Sequence, residues 1–228
     1  MGWACGRREQ CRRVFRRRPH AFRGAGPVAA GLRASPVSSA HFVSLATNGT
    51  LRGPHGGIVL ARAGFASVID RAAGGANRDL VGLATKAVVL NEALADSFRA
   101  YQWLMLDNAG AMADVLRERG FEAVSGDSGQ LVVSDGPPVH VSRSLEQLAS
   151  AHMFADLCRT YCPDADRSVA TGIGVAAAAL TARGLTTEES AYVAHVIADV
   201  LHAPLQDDIV RRARDEGQEL CRQFPVAR

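Results

Sequence analysis

The chain has 228 residues, of which 47% are hydrophobic, so it can bury the core of one globular domain or two small ones. Its net charge of +3 comes from eight arginines within residues 1–23, and the slightly acidic remainder excludes a basic nucleic-acid-binding surface for the body of the protein. No apolar run reaches the roughly 18 residues that a membrane-spanning helix needs, which argues against a membrane protein.

The five cysteines are odd in number and scattered, which does not describe a disulfide framework. We therefore expect a reducing compartment and a cytoplasmic location. A metal ion could in principle be coordinated by His152, Cys158 and Cys162. Their spacing, however, matches no standard zinc pattern, and no second pair of ligands follows. The sequence predicts no metal site and favours ordinary helix residues here.

Residues 1–26 are rich in arginine and contain a single acid, Glu9. They lack the apolar segment of a secretory signal. Three interpretations remain open: a disordered basic arm, an organellar transit peptide, or a start that does not belong to the protein.

A Gly- and Pro-rich loop over residues 46–57 connects two short apolar runs, residues 41–45 and 58–60. This arrangement predicts two short buried strands joined by a loop. The loop reads Ala-Thr-Asn-Gly-Thr-Leu-Arg-Gly-Pro-His-Gly-Gly. It resembles the cofactor-lysine loop of the serine hydroxymethyltransferase family, Thr-Thr-His-Lys-Thr-Leu-Arg-Gly-Pro-Arg-Gly-Gly. Asn48 stands at the family's histidine position, Gly49 at its lysine position and His55 at the basic position of Gly-Pro-Arg-Gly-Gly.

The resemblance implies a cofactor, pyridoxal phosphate (PLP), that the family's lysine holds as a Schiff base. Glycine has no side chain and forms no imine, so binding of PLP by this chain is in doubt. The chain contains a single lysine, Lys86, and arginine does not replace an imine-forming amine.

Residues 27–37 resemble a family stretch, Gly-Leu-Val-Ala-Ala-Gly-Leu-His-Pro-Ser-Pro-Val, that lies shortly before the loop. In the family an Asp-x-x-His sequence leads into this stretch. Its aspartate bonds the pyridine nitrogen of the cofactor, and its histidine stacks on the cofactor ring. Counting back without a gap places these two positions on His20 and Arg23, and neither residue matches the motif. We therefore expect the resemblance to start at Pro27 and to be absent upstream of it. A histidine offers no negative charge comparable to the aspartate that keeps the ring nitrogen protonated.

Helices are predicted over residues 63–73 and 80–95, with a further helix over residues 98–116. Gly74 and Gly75 follow the first of these. They match two glycines of a family motif whose backbone meets the phosphate of a cofactor in the neighbouring subunit, although closing the helix is the simpler interpretation. Residues 80–95 resemble a structural helix of the family, which implies that Lys86 is a helix lysine rather than a displaced Schiff-base residue.

Beyond residue 120 the pattern changes to short strands and helices. Residues 121–125 and 130–134 are predicted to pair as strands across a turn, and residues 145–161 are predicted to be helical. Residues 170–184 resemble the family's Thr-Ser-Gly-Ile-Arg-Ile-Gly-Thr-Pro-Ala-Leu-Thr-Thr-Arg-Gly, whose first arginine binds the substrate carboxylate. Gly174 occupies that position, whereas the motif's structural residues are kept: Ala179, Leu180, Thr181, Arg183 and Gly184.

Two amphipathic helices are predicted at the C-terminus. Thr186 or Thr187 can cap the first, Pro204 is expected to break it, and residues 207–224 form the second.

We therefore predict an α/β fold: residues 1–26 as a basic segment, residues 27–78 as a remnant of the PLP-dependent transferase large domain, residues 79–119 as linking helices, and residues 120–228 as a small C-terminal α/β domain. The resemblance covers the family's C-terminal half and implies PLP-dependent transfer of a one-carbon unit between serine and tetrahydrofolate. The replaced residues favour a catalytically impaired homologue that forms homo-oligomers or pairs with a full-length relative, without nucleic acid or membrane. Two alternatives stay open: an active transferase or aldolase-type component completed by another chain, and a truncated remnant without a selected role.

Overall fold

A computed structural model describes residues 24–73, 79–125, 129–134, 138–161, 169–203 and 207–226. Seven residues named above lie outside these ranges: Glu9, His20, Arg23, Gly74, Gly75, Cys162 and Pro204. The chain divides into two compact units, Met1–Gln102 and Trp103–Arg228. Each contains helices and a small antiparallel sheet, which confirms the α/β class.

The first unit is built around a two-stranded sheet. Strands β1 (Phe42–Ala46) and β2 (Gly57–Ala61) are antiparallel, with Phe42 opposite Ala61 and Ala46 opposite Gly57. Its helices are α1 (Ala25–Ala29), α2 (Ala66–Ala73), α3 (Leu80–Glu92) and the beginning of α4 (Asp96–Glu118). Short 3-10 helices occur at Pro36–Ser39, Gly49–Leu51 and Ala63–Phe65.

Helix α1 begins inside the segment that the sequence assigns to a basic arm. Its residues Ala25 and Gly26 are buried, and Ala25 packs in a small core with Ala30, Leu51 and Phe98. The division between the two units falls within α4, the second of the predicted linking helices.

The expectation that both strands beside the loop are buried is wrong: only Val43 is buried in β1, and no residue is buried in β2. Val59 is 52% exposed and Leu60 is 40% exposed. Four of the five residues of β2 are exposed, so the apolar run has the composition of a buried strand without its burial.

Helix α3 also exposes apolar side chains. Leu80 is 74% exposed, Val81 is 78% exposed and Leu83 is 60% exposed. A helix that is apolar on all sides is typical of a buried position. The first unit therefore carries more exposed apolar surface than scattered single residues would give.

The second unit contains a four-stranded antiparallel sheet in the order β3-β4-β6-β5. The strands are β3 (Glu122–Ser125), β4 (Gln130–Ser134), β5 (Asp156–Tyr161) and β6 (Val169–Ala176). The rest of α4 packs with helices α5 (Pro138–Ser150), α6 (Ala177–Ala182), α7 (Thr187–His202) and α8 (Asp207–Gln223). The predicted pairing of β3 with β4 is confirmed, and the core includes Met105, Met112, Leu131, Ile173 and Val200.

The prediction of helix over residues 145–161 is wrong beyond Ser150. Helix α5 ends there, His152 takes a left-handed conformation with φ of 60°, and β5 starts at Asp156. No glycine or proline between the two elements signals this stop. Strand β5 forms because β6 supplies its backbone partners, a long-range pairing that local spacing does not reveal.

Thr186 rather than Thr187 caps α7. The Glu189 carboxylate accepts hydrogen bonds from the Thr186 backbone N–H at 2.8 Å and from the Thr186 hydroxyl. The side-chain hydrogen bond from Thr186, followed by the backbone one, holds the pKa of Glu189 below its usual value.

We expect Thr186→Ala to lower the free energy of unfolding by about 1 kcal/mol at pH 7, because α7 loses its cap. Because the pKa of Glu189 is lower in the folded chain than in the unfolded chain, its ionised carboxylate stabilises the fold at pH values above the unfolded-state pKa. This contribution is lost as the pH falls through the folded-state pKa. Urea titrations at pH 7 and pH 3 should therefore show a smaller difference between variant and wild type in acid. Thr187→Ala, an exposed neighbour with the same chemical change, is the control; an equal loss in both variants would contradict the assignment of Thr186 as the cap.

Candidate functional site

Thr47 closes the base of the loop between β1 and β2. Its backbone N–H donates to the Gly56 carbonyl at 3.0 Å, and its carbonyl accepts from the Gly53 N–H at 2.9 Å. Its hydroxyl donates to the Pro54 carbonyl at 2.6 Å. A buried threonine with three local bonds fixes the path of the loop, so the loop has a defined shape despite its glycines.

A second set of bonds ties the loop to α1 and to the beginning of α4. The Thr50 hydroxyl accepts the Gly26 N–H at 3.1 Å, and Gln102 Nε2 donates to the Thr50 carbonyl at 2.7 Å. A Cβ at Gly26 would lie 2.6 Å from Gln102 Nε2 and 2.7 Å from the Thr50 carbonyl oxygen. Only glycine fits this close approach of backbone to backbone.

We expect Gly26→Ala to lower the free energy of unfolding of the first unit by about 1–3 kcal/mol, because the methyl group must displace Thr50 or Gln102. Hydrogen exchange of residues 47–56 should accelerate in the variant. Gly64→Ala is the matched control, since a Cβ there meets no described atom within 4 Å. Equal exchange in the two variants would show that the Gly26 contact does not hold the loop.

Gly49 occupies the position of the family's Schiff-base lysine. It has a φ of +80°, and an added Cβ would meet no described atom within 4 Å. The position is sterically open but conformationally suited to glycine, and it offers no amine. Asn48 precedes it as the N-cap of the 3-10 helix and makes no side-chain capping bond.

Arg52 of the loop contacts Tyr101 of α4. The Arg52 guanidinium lies 4.5 Å from the centre of the Tyr101 ring, a cation–π geometry. Burial raises the pKa of Tyr101, although the positive charge of Arg52 acts in the opposite direction. Arg52 adopts a φ of 59°, and His55, three residues further on, is exposed.

The amine of Lys86 approaches the same loop from α3. A Cβ at Gly56 would lie 2.8 Å from Lys86 Nζ and 3.6 Å from the Thr47 hydroxyl oxygen. Lys86 lies on a helix as the sequence predicts. No sequence pattern predicts that this amine, 30 residues downstream of Gly56, reaches the loop whose own lysine position is glycine.

Gly174 lies in β6, opposite Asp156 of β5 and Val132 of β4. A Cβ at this position would lie 2.9 Å from Cys158 Cβ, 3.2 Å from Gln130 Nε2 and 3.3 Å from the Asp156 carbonyl oxygen. The position of the family's carboxylate-binding arginine is therefore closed by neighbouring strands. Sequence reasoning missed this closure because it did not predict β5.

The retained residues of the same motif have structural partners. Asn108 Nδ2 donates to the Thr181 hydroxyl and to the Leu185 carbonyl, each at 2.9 Å. Arg183 donates through Nε to the Phe224 carbonyl at 2.7 Å and through Nη2 to the Cys221 carbonyl at 3.1 Å. These contacts fix α6 against α4 and against the end of α8.

Two further features concern metals and membranes. In the part of the chain that the structure describes, no three His, Cys, Asp or Glu side chains gather into a group that could hold a metal ion. Within the same part, no helix has the length and apolar character to cross a membrane.

The family model for serine hydroxymethyltransferase matches residues 21–197. The chain belongs to the serine hydroxymethyltransferase family. The match starts at residue 21, six residues before Pro27, the position at which we expected the resemblance to start.

Several bacterial family members are similar to the chain. Serine hydroxymethyltransferase 1 of Pseudomonas fluorescens (strain Pf0-1) is 38% identical over 212 residues, which cover 89% of this chain and 50% of that protein. The enzyme of Nitrosospira multiformis is 37% identical with the same coverage, and that of Xanthomonas campestris pv. campestris is 35% identical over 213 residues, 89% of this chain and 51% of that protein. The chain spans about half the length of these curated relatives.

Serine hydroxymethyltransferases depend on PLP, and the family's Schiff-base position in this chain has no side chain that could hold the cofactor covalently. The loop that would supply the amine has Gly49, and the position that would bind a substrate carboxylate is closed at Gly174. Gly74, Gly75, His20 and Arg23 lie outside the described residues, so their roles remain predictions.

Proposed function

We propose that this chain is a catalytically impaired serine hydroxymethyltransferase homologue that acts by pairing with a complete family member. The observation that carries the proposal is Gly49, a glycine with a positive φ inside a loop that hydrogen bonds of Thr47 and Thr50 hold in place. A family loop without its amine can keep its structural role while losing imine chemistry.

The exposed apolar surface of the first unit supports the pairing. Leu80, Val81 and Leu83 expose most of their side chains on α3, and Val59 is half exposed on β2. Apolar surface of this kind marks a protein interaction site or an aggregation liability. A complete family member offers a related fold for such a surface, whereas a truncated remnant with no partner would aggregate.

One alternative is an active transferase or aldolase-type component completed by another chain, which would supply the missing half of the site and the Schiff-base lysine. The Lys86 amine lies beside Gly56, within the loop that holds the cofactor in the family, so a relocated lysine on this chain is a separate outcome to test. Tetrahydrofolate and serine are the family's substrates.

Co-expression with a complete serine hydroxymethyltransferase from the same organism tests the proposal. We expect the two chains to co-purify in a fixed ratio, and the activity or thermal stability of the complete enzyme to change when this chain is omitted. Soluble homo-oligomers that do not bind the complete enzyme would contradict pairing between the two chains. Insoluble material under all conditions would favour the alternative of a truncated remnant without a selected role. An amino-acid-dependent spectral change with PLP that requires this chain, alone or together with the completing chain, would favour the active component.

A further inference from the structure

A cavity of about 480 Å³ lies in the second unit, between the residues after α5 and helices α6, α7 and α8. Its volume falls within the roughly 300–1,000 Å³ of typical small-molecule sites. Apolar side chains form most of the wall, among them Met153, Leu180, Val193 and Leu220. Of the replaced family positions that the structure describes, Asn48, Gly49, His55 and Gly174, none lines the cavity.

The polar part of the wall is positively charged. Arg183, Arg214 and Arg222 line the cavity, and its described lining contains no Asp or Glu. Arg183 is engaged by the carbonyls of Phe224 and Cys221, and Arg222 pairs with Glu219 at 3.4 Å. The charge of Arg222 is therefore compensated by Glu219, whereas Arg183 bonds only neutral groups and keeps its positive charge.

Arg214 differs from the other two arginines. Its Nη2 donates to the Ser150 carbonyl at 2.6 Å, whereas its buried Nε–H meets no acceptor among the described residues. The enclosed Nε does not face the cavity, but no described carboxylate pairs with the Arg214 guanidinium, so its positive charge is uncompensated among the described residues. A carboxylate is the strongest partner of such a guanidinium. The cavity thus combines an apolar body with an arginine whose charge is uncompensated.

Gly217 leaves room in the wall. It lies within α8, and an added Cβ would meet no described atom within 4 Å. Glycine inside a helix is less favourable than alanine or leucine, so a larger residue here would favour the helix while filling the cavity.

We propose that this cavity binds a small amphiphilic monoanion, a carboxylate carried on an aliphatic or aromatic body. The apolar wall receives the body, and Arg214 pairs with the carboxylate. This binding is distinct from the family's amino-acid and folate chemistry and does not depend on the proposed pairing with a complete relative.

Titration calorimetry and protein-observed NMR on the full chain, with 4-phenylbutyrate as the probe, test the proposal. We expect the acid to bind, and 4-phenylbutanol and 4-phenylbutylamine to bind at least about tenfold more weakly, because neither provides an acceptor with negative charge. Arg214→Met keeps an apolar stem and should weaken binding of the acid by about tenfold or more.

Gly217→Leu should abolish binding while the chain stays folded. Gly110→Leu is its matched control, because Gly110 also lies in a helix with no described atom within 4 Å of an added Cβ and does not line the cavity. This pair decides the outcome even if Arg214→Met does not fold. Equal affinity for the acid and the alcohol, no binding of the acid at millimolar concentration, or unchanged binding in Gly217→Leu would overturn the proposal.

Discussion

Gly174→Arg, which puts back the family's carboxylate-binding residue, is expected to lower the free energy of unfolding by about 3 kcal/mol rather than restore a substrate site. The Cβ of the new residue would lie 2.9 Å from Cys158 Cβ. A Cβ cannot rotate away as the amide of Gln130 can, so β5 must shift relative to β6. Chemical denaturation of the two proteins measures the loss.

Gly110→Arg is the control for this substitution, because it introduces the same side chain in a helix where an added Cβ meets no described atom within 4 Å. Its stability should stay within about 1 kcal/mol of the wild type. If the Gly174→Arg protein is as stable as this control, position 174 has room for a side chain. The claim that Cys158 leaves no space for a Cβ at this position would then be wrong. If the closure holds, arginine alone cannot recover carboxylate binding in this chain.

Leu80→Asp combined with Leu83→Asp is expected to weaken association with a complete family member by at least about a hundredfold. The two leucines lie three residues apart, so they share one face of α3. Burying each leucine in an interface contributes about 1.5–3 kcal/mol, which aspartate forfeits. Sedimentation velocity or surface plasmon resonance with the complete enzyme measures the effect.

The folding of the same variant should be nearly unaffected, because both positions lie near the N-terminus of α3, where acidic side chains interact favourably with the helix dipole. Phe154→Asp, which replaces an 88% exposed aromatic residue in the second unit, is the matched control and should retain association. Unchanged affinity in the leucine variant would exclude α3 as the contact surface, and equal loss in the control would indicate a general solubility effect.

The elements that the sequence predicts correctly are those in which local pattern and tertiary environment agree. Strands β3 and β4 are each four or five residues long, and a short segment with glycines at both ends separates them, which is the sequence pattern of two paired strands. Helix α7 has its cap, its acidic first turn and its apolar stripe in one continuous segment. The loop between β1 and β2 is identified by its glycines and by the resemblance to the family.

What the sequence could not predict depends on contacts between distant segments. Strand β5 exists because β6 lies beside it, and the spacing of residues 145–161 suits a helix equally well. The approach of Lys86 to Gly56 and the closure of Gly174 by Cys158 are likewise packing results. The motif comparison identified which functional residues are replaced, but only the structure distinguishes an open position, Gly49, from a closed one, Gly174.

The most direct test of the account is borohydride reduction of the purified chain with PLP, alone and with a complete family member, followed by intact mass and peptide mapping. Lys86→Arg serves as the control for labelling of the single lysine. We predict no stoichiometric adduct on this chain and a labelled lysine in the partner, because position 49 provides no amine. A stoichiometric adduct at Lys86 that disappears in Lys86→Arg would contradict the account and assign the chain a relocated Schiff-base lysine.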